Sequence, residues 1–202
     1  MEFLVNWQTL IAGFLALLGA LITTGVLLKQ HSSDQKRYRQ DRERKAFYLR
    51  ASLADALSDL VEYSRECFQY VYWNKDFPQK PKQAIDILKA NIEFADIVTS
   101  ENLFKISSFY QVHNSRLDSY AQSDSINKKE HMLYDISLLN HYFLRLFCYA
   151  RNEEKFVRDI FPNTEEISSS LKTLIGIHEY HENFQLYEKI FSDVEKYRKN
   201  NE

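Results

Sequence analysis

The histidines, cysteines and paired acids are the residues with which this chain could do chemistry. The run His178-Glu179-Tyr180-His181-Glu182 comes nearest to a metal motif. A zincin helix sets two histidine ligands at i and i+4, with the intervening glutamate as general base. Position i+4 from His178 is Glu182, so the motif fails on spacing. His178 and His181, at i and i+3, could share a helical face and would need a third ligand. A solvated polar face is the plainer reading. His113 and His141 stand within apolar stripes, which predicts hydrogen-bonded core or edge histidines rather than bases or ligands. Cys67 and Cys148 form no CxxC pair and read as two small buried hydrophobes in a reducing compartment. Glu153-Glu154 and Glu165-Glu166 read as helix-start acids that favour the helix dipole. After Gly25 the only glycine is Gly176, so no glycine-rich loop can cradle a phosphate. No catalytic residue, metal ligand or cofactor is therefore assigned. An enzyme reading would rest on an unrecognised site between helices, built on His113, His141, Tyr110 or Tyr142.

The elements that must position these residues are helices. Residues 51–202 hold one Gly and three Pro (Pro78, Pro81, Pro162), too few turn residues for a β domain of that size. The expected fold is all-α: one N-terminal transmembrane helix, then a cytoplasmic antiparallel bundle of about five helices. Residues 34–73 show helical spacing, with an apolar stripe through Leu53, Leu57, Leu60, Val61, Cys67, Phe68 and Val71. Pro81 suits the first turn of a second helix reaching about Val98. Thr99 or Ser100 is expected to cap a third, carrying Leu103, Ile106, Tyr110, His113 and Leu117. The polar stretch 121–128 reads as a loop, and a fourth helix is expected over about 129–151. A short helix at 153–161 should end at Pro162, and Asn163 or Thr164 should cap a last helical region reaching about Lys199.

Phe3 to Leu28 contains no charged side chain. A bilayer core of about 30 Å needs roughly 20 apolar residues at 1.5 Å each, so residues 1–28 read as a transmembrane anchor, with Trp7 at the interface. Residues 29–50 form a basic juxtamembrane linker or helical stalk. They hold eight basic residues (Lys29, Lys36, Arg37, Arg39, Arg42, Arg44, Lys45, Arg50) against Asp34, Asp41 and Glu43. Residues 51–202 are the helical domain, with 18 basic and 24 acidic residues. Positive charge beside a span stays cytoplasmic, which places the N-terminus outside and the domain in the cytoplasm. Lys29, Lys36, Arg37 and Arg39 are the candidate contacts to anionic lipid headgroups. The acidic body and a net charge of −2 argue against nucleic acid as a partner.

Ala12, Ala16, Ala20 and Thr24 recur every four residues, with Gly13 and Gly19 beside them. In lipid such a stripe lets a second helix approach closely. It predicts a homo-oligomer through the membrane helix, the 34–73 stalk being a second route to assembly.

The opening WQTLIAGFLALLGALIT, with IEFADIVTSENLFKISSFYQVHNSRL (92–117) and LFCYARNEE (146–154), resembles a group of small uncharacterised bacterial inner-membrane proteins. Those carry one N-terminal span, a basic linker and a helical cytoplasmic region. The resemblance implies a bacterial inner membrane and a helical domain, and it hands no residue a catalytic role. This chain is richer in Lys, Asn, Tyr and Ile than that group. The expected function is a membrane-anchored, non-enzymatic module that self-associates and recruits a cytoplasmic protein partner.

Overall fold

The computed structural model describes residues 2–122, 127–157 and 160–175, with positions 188, 192 and 196. The described residues are all-helical, without strands: α1 Glu2–Trp73, α2 Lys82–Phe94, α3 Ile97–Ala121, α4 Asn127–Ala150 and α5 Thr164–Ile175. The chain divides into two units, Met1–Lys45 and Ala46–Glu202. The expected reach of the last helical region to Lys199 and the His178/His181 pair lie outside the described residues.

The first unit is the N-terminal part of α1. Its stretch from Leu10 onward is long and apolar enough to cross a membrane, and none of it is buried by the protein. Thr23 and Thr24 donate their hydroxyls to the carbonyls of Gly19 and Ala20 at 2.8 Å. They thereby hide their polarity inside the helix that carries them.

The second unit is a bundle. Along α1 the residues Leu53, Leu57, Leu60, Cys67, Phe68 and Val71 are fully buried. They recur at three- and four-residue steps, which puts them on one face. That face is part of the bundle's own core. α2 packs on α3, α3 on α4, and α4 on α5.

The helix ends show which local signals the chain uses. Asn74 takes φ 53° and stops α1, and Asn152 takes φ 63° just beyond α4. After α4, Glu153 N–H reaches Cys148 O at 2.9 Å and Asn152 N–H reaches Tyr149 O at 3.0 Å. This is a Schellman ending with asparagine in the place that glycine usually takes. Asn163 and Glu166 form a reciprocal capping box at α5, each backbone N–H bonding the other's side chain at 2.9 Å, as one of the two expected caps.

Three expectations are corrected. α2 ends at Phe94, with Pro81 at its N-cap position, and α3 is capped by Asp96, whose carboxylate accepts from Thr99 N–H at 3.1 Å. Thr99 and Ser100 act elsewhere: Thr99 Oγ1 accepts from Val157 N–H at 3.1 Å, and Ser100 Oγ donates to Ile92 O at 2.7 Å. No helix forms at 153–161 among the described residues. There the N–H groups of Glu153 and Glu154 both turn back to Cys148 O. The backbone of Val157 is claimed by Thr99 and by Asn102 Nδ2, which donates to Val157 O at 2.7 Å. Glu153-Glu154 thus follows a helix end instead of opening one, whereas Glu165 and Glu166 do sit in the first turn of α5.

Candidate functional site

Three polar groupings of the bundle bear on chemistry. The first lies between α1 and α3. Tyr63 donates its hydroxyl to Asn114 Oδ1 at 2.5 Å. Its ring meets Tyr110 at 5.8 Å and the imidazole of His113 edge-on at 6.5 Å. His113 is completely buried, and neither of its ring nitrogens has a hydrogen-bond partner. This corrects the expectation of a hydrogen-bonded core histidine. Burial, reinforced by the Arg116 charge, pulls its pKa down to about 4, so the ring is neutral at pH 7. Burial also raises the Tyr63 hydroxyl and pushes the Cys67 thiol up to about 12. A thiol so raised is no nucleophile. Cys148 is half-buried, against the expected full burial, and its thiol is also shifted up, by desolvation first and then by Glu153.

The second grouping joins α4 to α5. Asn140 Nδ2 donates to Ser170 Oγ at 2.9 Å, and Ser170 Oγ donates to Ser137 O at 2.8 Å. Asn140 Oδ1 and His141 Nε2 are buried without a partner. His141 is shifted down chiefly by burial, against the charge of Glu166.

The third is a cleft of about 450 Å³ between α3 and α4, lined by Ser115, Arg116, Ser119 and Tyr120 on one side and His131, Met132 and Asp135 on the other. Arg116 Nη1 meets Asp135 Oδ2 at 2.7 Å; the arginine side chain is 56% exposed and the aspartate 7%. Burial raises the Asp135 pKa, and the Arg116 hydrogen bond and charge oppose that rise.

The four residues on which an enzyme reading would rest lie elsewhere. His113, His141, Tyr110 and Tyr142 are buried in the core, and none of them lines this cleft. Among the described residues no group of three potential metal ligands occurs. Ala12, Gly13, Ala16, Gly19, Ala20 and Thr24, expected to form a packing face in the membrane, all lie on α1 and are exposed. A Cβ added at Gly13 or Gly19 would meet nothing within 4 Å. Lys29, Lys36, Arg37 and Arg39 are exposed as well.

Sequence reading missed the cleft and the role of Arg50. The only signals for the cleft were charges set beside apolar stripes, Arg116 next to Leu117 and Asp135 next to Ile136. Arg50, counted with the basic block, works inside the bundle. Its Nε donates to Tyr149 O at 2.5 Å, its Nη2 to Glu154 O, and its guanidinium stacks 4.0 Å over the Tyr149 ring.

Comparison with known proteins gave no match: no family model fits the chain, and no curated protein or solved structure matches it.

Proposed function

We propose that the chain is a membrane-anchored, non-enzymatic helical module that self-associates and recruits a cytoplasmic protein partner. The observation that carries this reading is the apolar run of α1, exposed on every side and followed in the same chain by a bundle with its own filled core. Exposed apolar surface of that extent needs an apolar solvent or a partner. The uncharged length from Phe3 to Leu28 matches a bilayer. The basic residues of 29–45 set the orientation, with the N-terminus outside and the bundle in the cytoplasm, and Lys29, Lys36, Arg37 and Arg39 meet lipid headgroups. The resemblance to bacterial inner-membrane proteins supplies the membrane. Ala12, Ala16, Ala20 and Thr24, flanked by Gly13 and Gly19, form the packing face, since nothing among the described residues covers them.

Replacing Ala16 and Ala20 with Leu should weaken association in a membrane two-hybrid assay. Unchanged association removes this face as its cause. A periplasm-active reporter fused after Glu202 should stay silent, and a strong signal overturns the orientation.

A further inference from the structure

Helix α3 has a side that nothing among the described residues covers. It packs on α2 and on α4, with Leu103, Ile106, Tyr110 and Leu117 buried. On the outer side Ile97 and Phe104 are 79% and 62% exposed, and Val112 is exposed too. Steps of seven and eight residues put these three in one row, about 22 Å long at 1.5 Å per residue. Phe161, also exposed, lies beside the row, with Lys105 Nζ 5.9 Å from its ring centroid. Single exposed apolar side chains are ordinary, whereas a row of them marks a surface that something covers.

The sequence after α5 carries a matching face. Tyr187, Ile190, Phe191 and Val194 stand at i, i+3, i+4 and i+7, with Phe184 a turn before them and Tyr197 a turn after. That spacing is one apolar side of a helix. Glu188, Ser192 and Lys196 are described in this stretch, and all three are helical and exposed. Their four-residue steps put them on the side facing away from the apolar set. From Phe184 to Tyr197 such a helix measures about 20 Å, close to the length of the α3 row.

Direction and reach also fit. The connection before α5 is tied to the start of α3, through Val157 on Thr99 and Asn102. Farther along, Ser170 of α5 meets Ser137 and Asn140 of α4, and Asp135 of α4 meets Arg116 of α3. Helix α5 therefore leads from the Ile97 end of α3 toward the Val112 end. Both α3 and α5 pack on α4, which sets their axes no more than about 20 Å apart. Residues 176–183 join α5 to Phe184 and span up to about 30 Å when extended.

We propose that residues 184–197 dock along the outer side of α3 in the same chain, antiparallel to it. Phe184 then lies level with Val112, Phe191 against Phe104, and Tyr197 level with Ile97.

Photo-cross-linking tests this in the full chain, solubilised in detergent. The probe p-benzoylphenylalanine replaces Phe104 or Val112, and cross-linked peptides from the monomer band are mapped by mass spectrometry. From position 104 the cross-link should fall in residues 190–194, and from position 112 in residues 183–187. A probe at Asp86, exposed on α2, should not reach this segment. Phe191→Asp should cut the yield from position 104 about tenfold or more, because docking would bury an unpaired charge. Phe191→Leu should keep most of it. Cross-links that join two chains would mean that a second copy covers α3, and they overturn the proposal. So do cross-links to lipid or detergent alone, the reverse order of the two sites, or a yield unchanged by Phe191→Asp.

Discussion

Helix α1 carries two leucine-rich stretches with opposite fates. Leu10, Leu21 and Leu28 are 69%, 62% and 66% exposed, whereas Leu53, Leu57 and Leu60 are 0% exposed. The residue type is the same, and the helix is assigned without a break. What differs is the company each leucine keeps. From Leu10 to Leu28 apolar residues occupy every face, so no face of the helix can be turned to water. From Leu53 onward the leucines alternate with Asp55, Asp59, Glu62 and Arg65 at helical spacing. One face is then apolar and the other solvated, which is what a bundle core requires. Pattern, not hydrophobicity, sends one stretch into the protein and leaves the other to its surroundings.

The contrast is broken most directly at single leucines. Leu57→Ala should cost about 2–5 kcal/mol of bundle stability, because the core cannot fully close over the lost atoms. Leu21→Ala should leave bundle stability unchanged. Urea unfolding of the solubilised full chain, followed by near-UV circular dichroism, measures both. Equal losses would erase the distinction between the two stretches.

Much of this arrangement was legible in the residues. The stripe Leu53 to Val71, the apolar run of α1, the all-helical class and the Asn163 cap follow from spacing and local chemistry, and the structure bears them out. Two of the misreadings share a cause: a polar side chain drawn away from local duty by a distant partner. Thr99 looked like a cap, and its hydroxyl instead accepts from Val157, 58 residues on. Arg50 was counted with the basic juxtamembrane block, and its guanidinium instead holds the carbonyls of Tyr149, in the last turn of α4, and of Glu154 beyond it. The stretch 153–161 looked helical, but the amides of Glu153 and Glu154 turn back to Cys148 O and that of Val157 goes to Thr99 Oγ1. The cleft was invisible for a related reason, since Arg116 and Asp135 are 19 residues apart and only the α3–α4 packing brings them together.

A second difference between the two stretches is that the apolar run has no titratable group, while the bundle core encloses His113. In the unfolded chain this histidine has the ordinary pKa of 6.5, and in the fold it lies at about 4. Between those values the unfolded state binds a proton that the folded state does not. Stability from this group is therefore complete above pH 6.5, falls as pH drops, and levels off below 4. The full loss is about 3 kcal/mol. His113→Leu should flatten that limb of the stability–pH curve relative to the unmodified chain, and it removes two buried nitrogens that lack partners. The helicity of residues 10–28 should be unaffected in either protein. Parallel pH curves for the two proteins would show that His113 is not the acid-sensitive group.

The smallest effect sharpens the comparison inside the bundle, between the deep stripe of α1 and the shorter α5. The reciprocal bonds of Asn163 and Glu166 satisfy two N–H groups that the first turn of α5 would otherwise leave open. Asn163→Ala should cost about 1 kcal/mol. Because α5 packs on α4 through the polar seam of Ser137, Asn140 and Ser170, that loss should appear first as local opening. Hydrogen exchange should quicken at the α5 amides and stay unchanged at Leu53, Leu57 and Leu60. Faster exchange at both places would mean that α5 and the α1 stripe open as one cooperative unit.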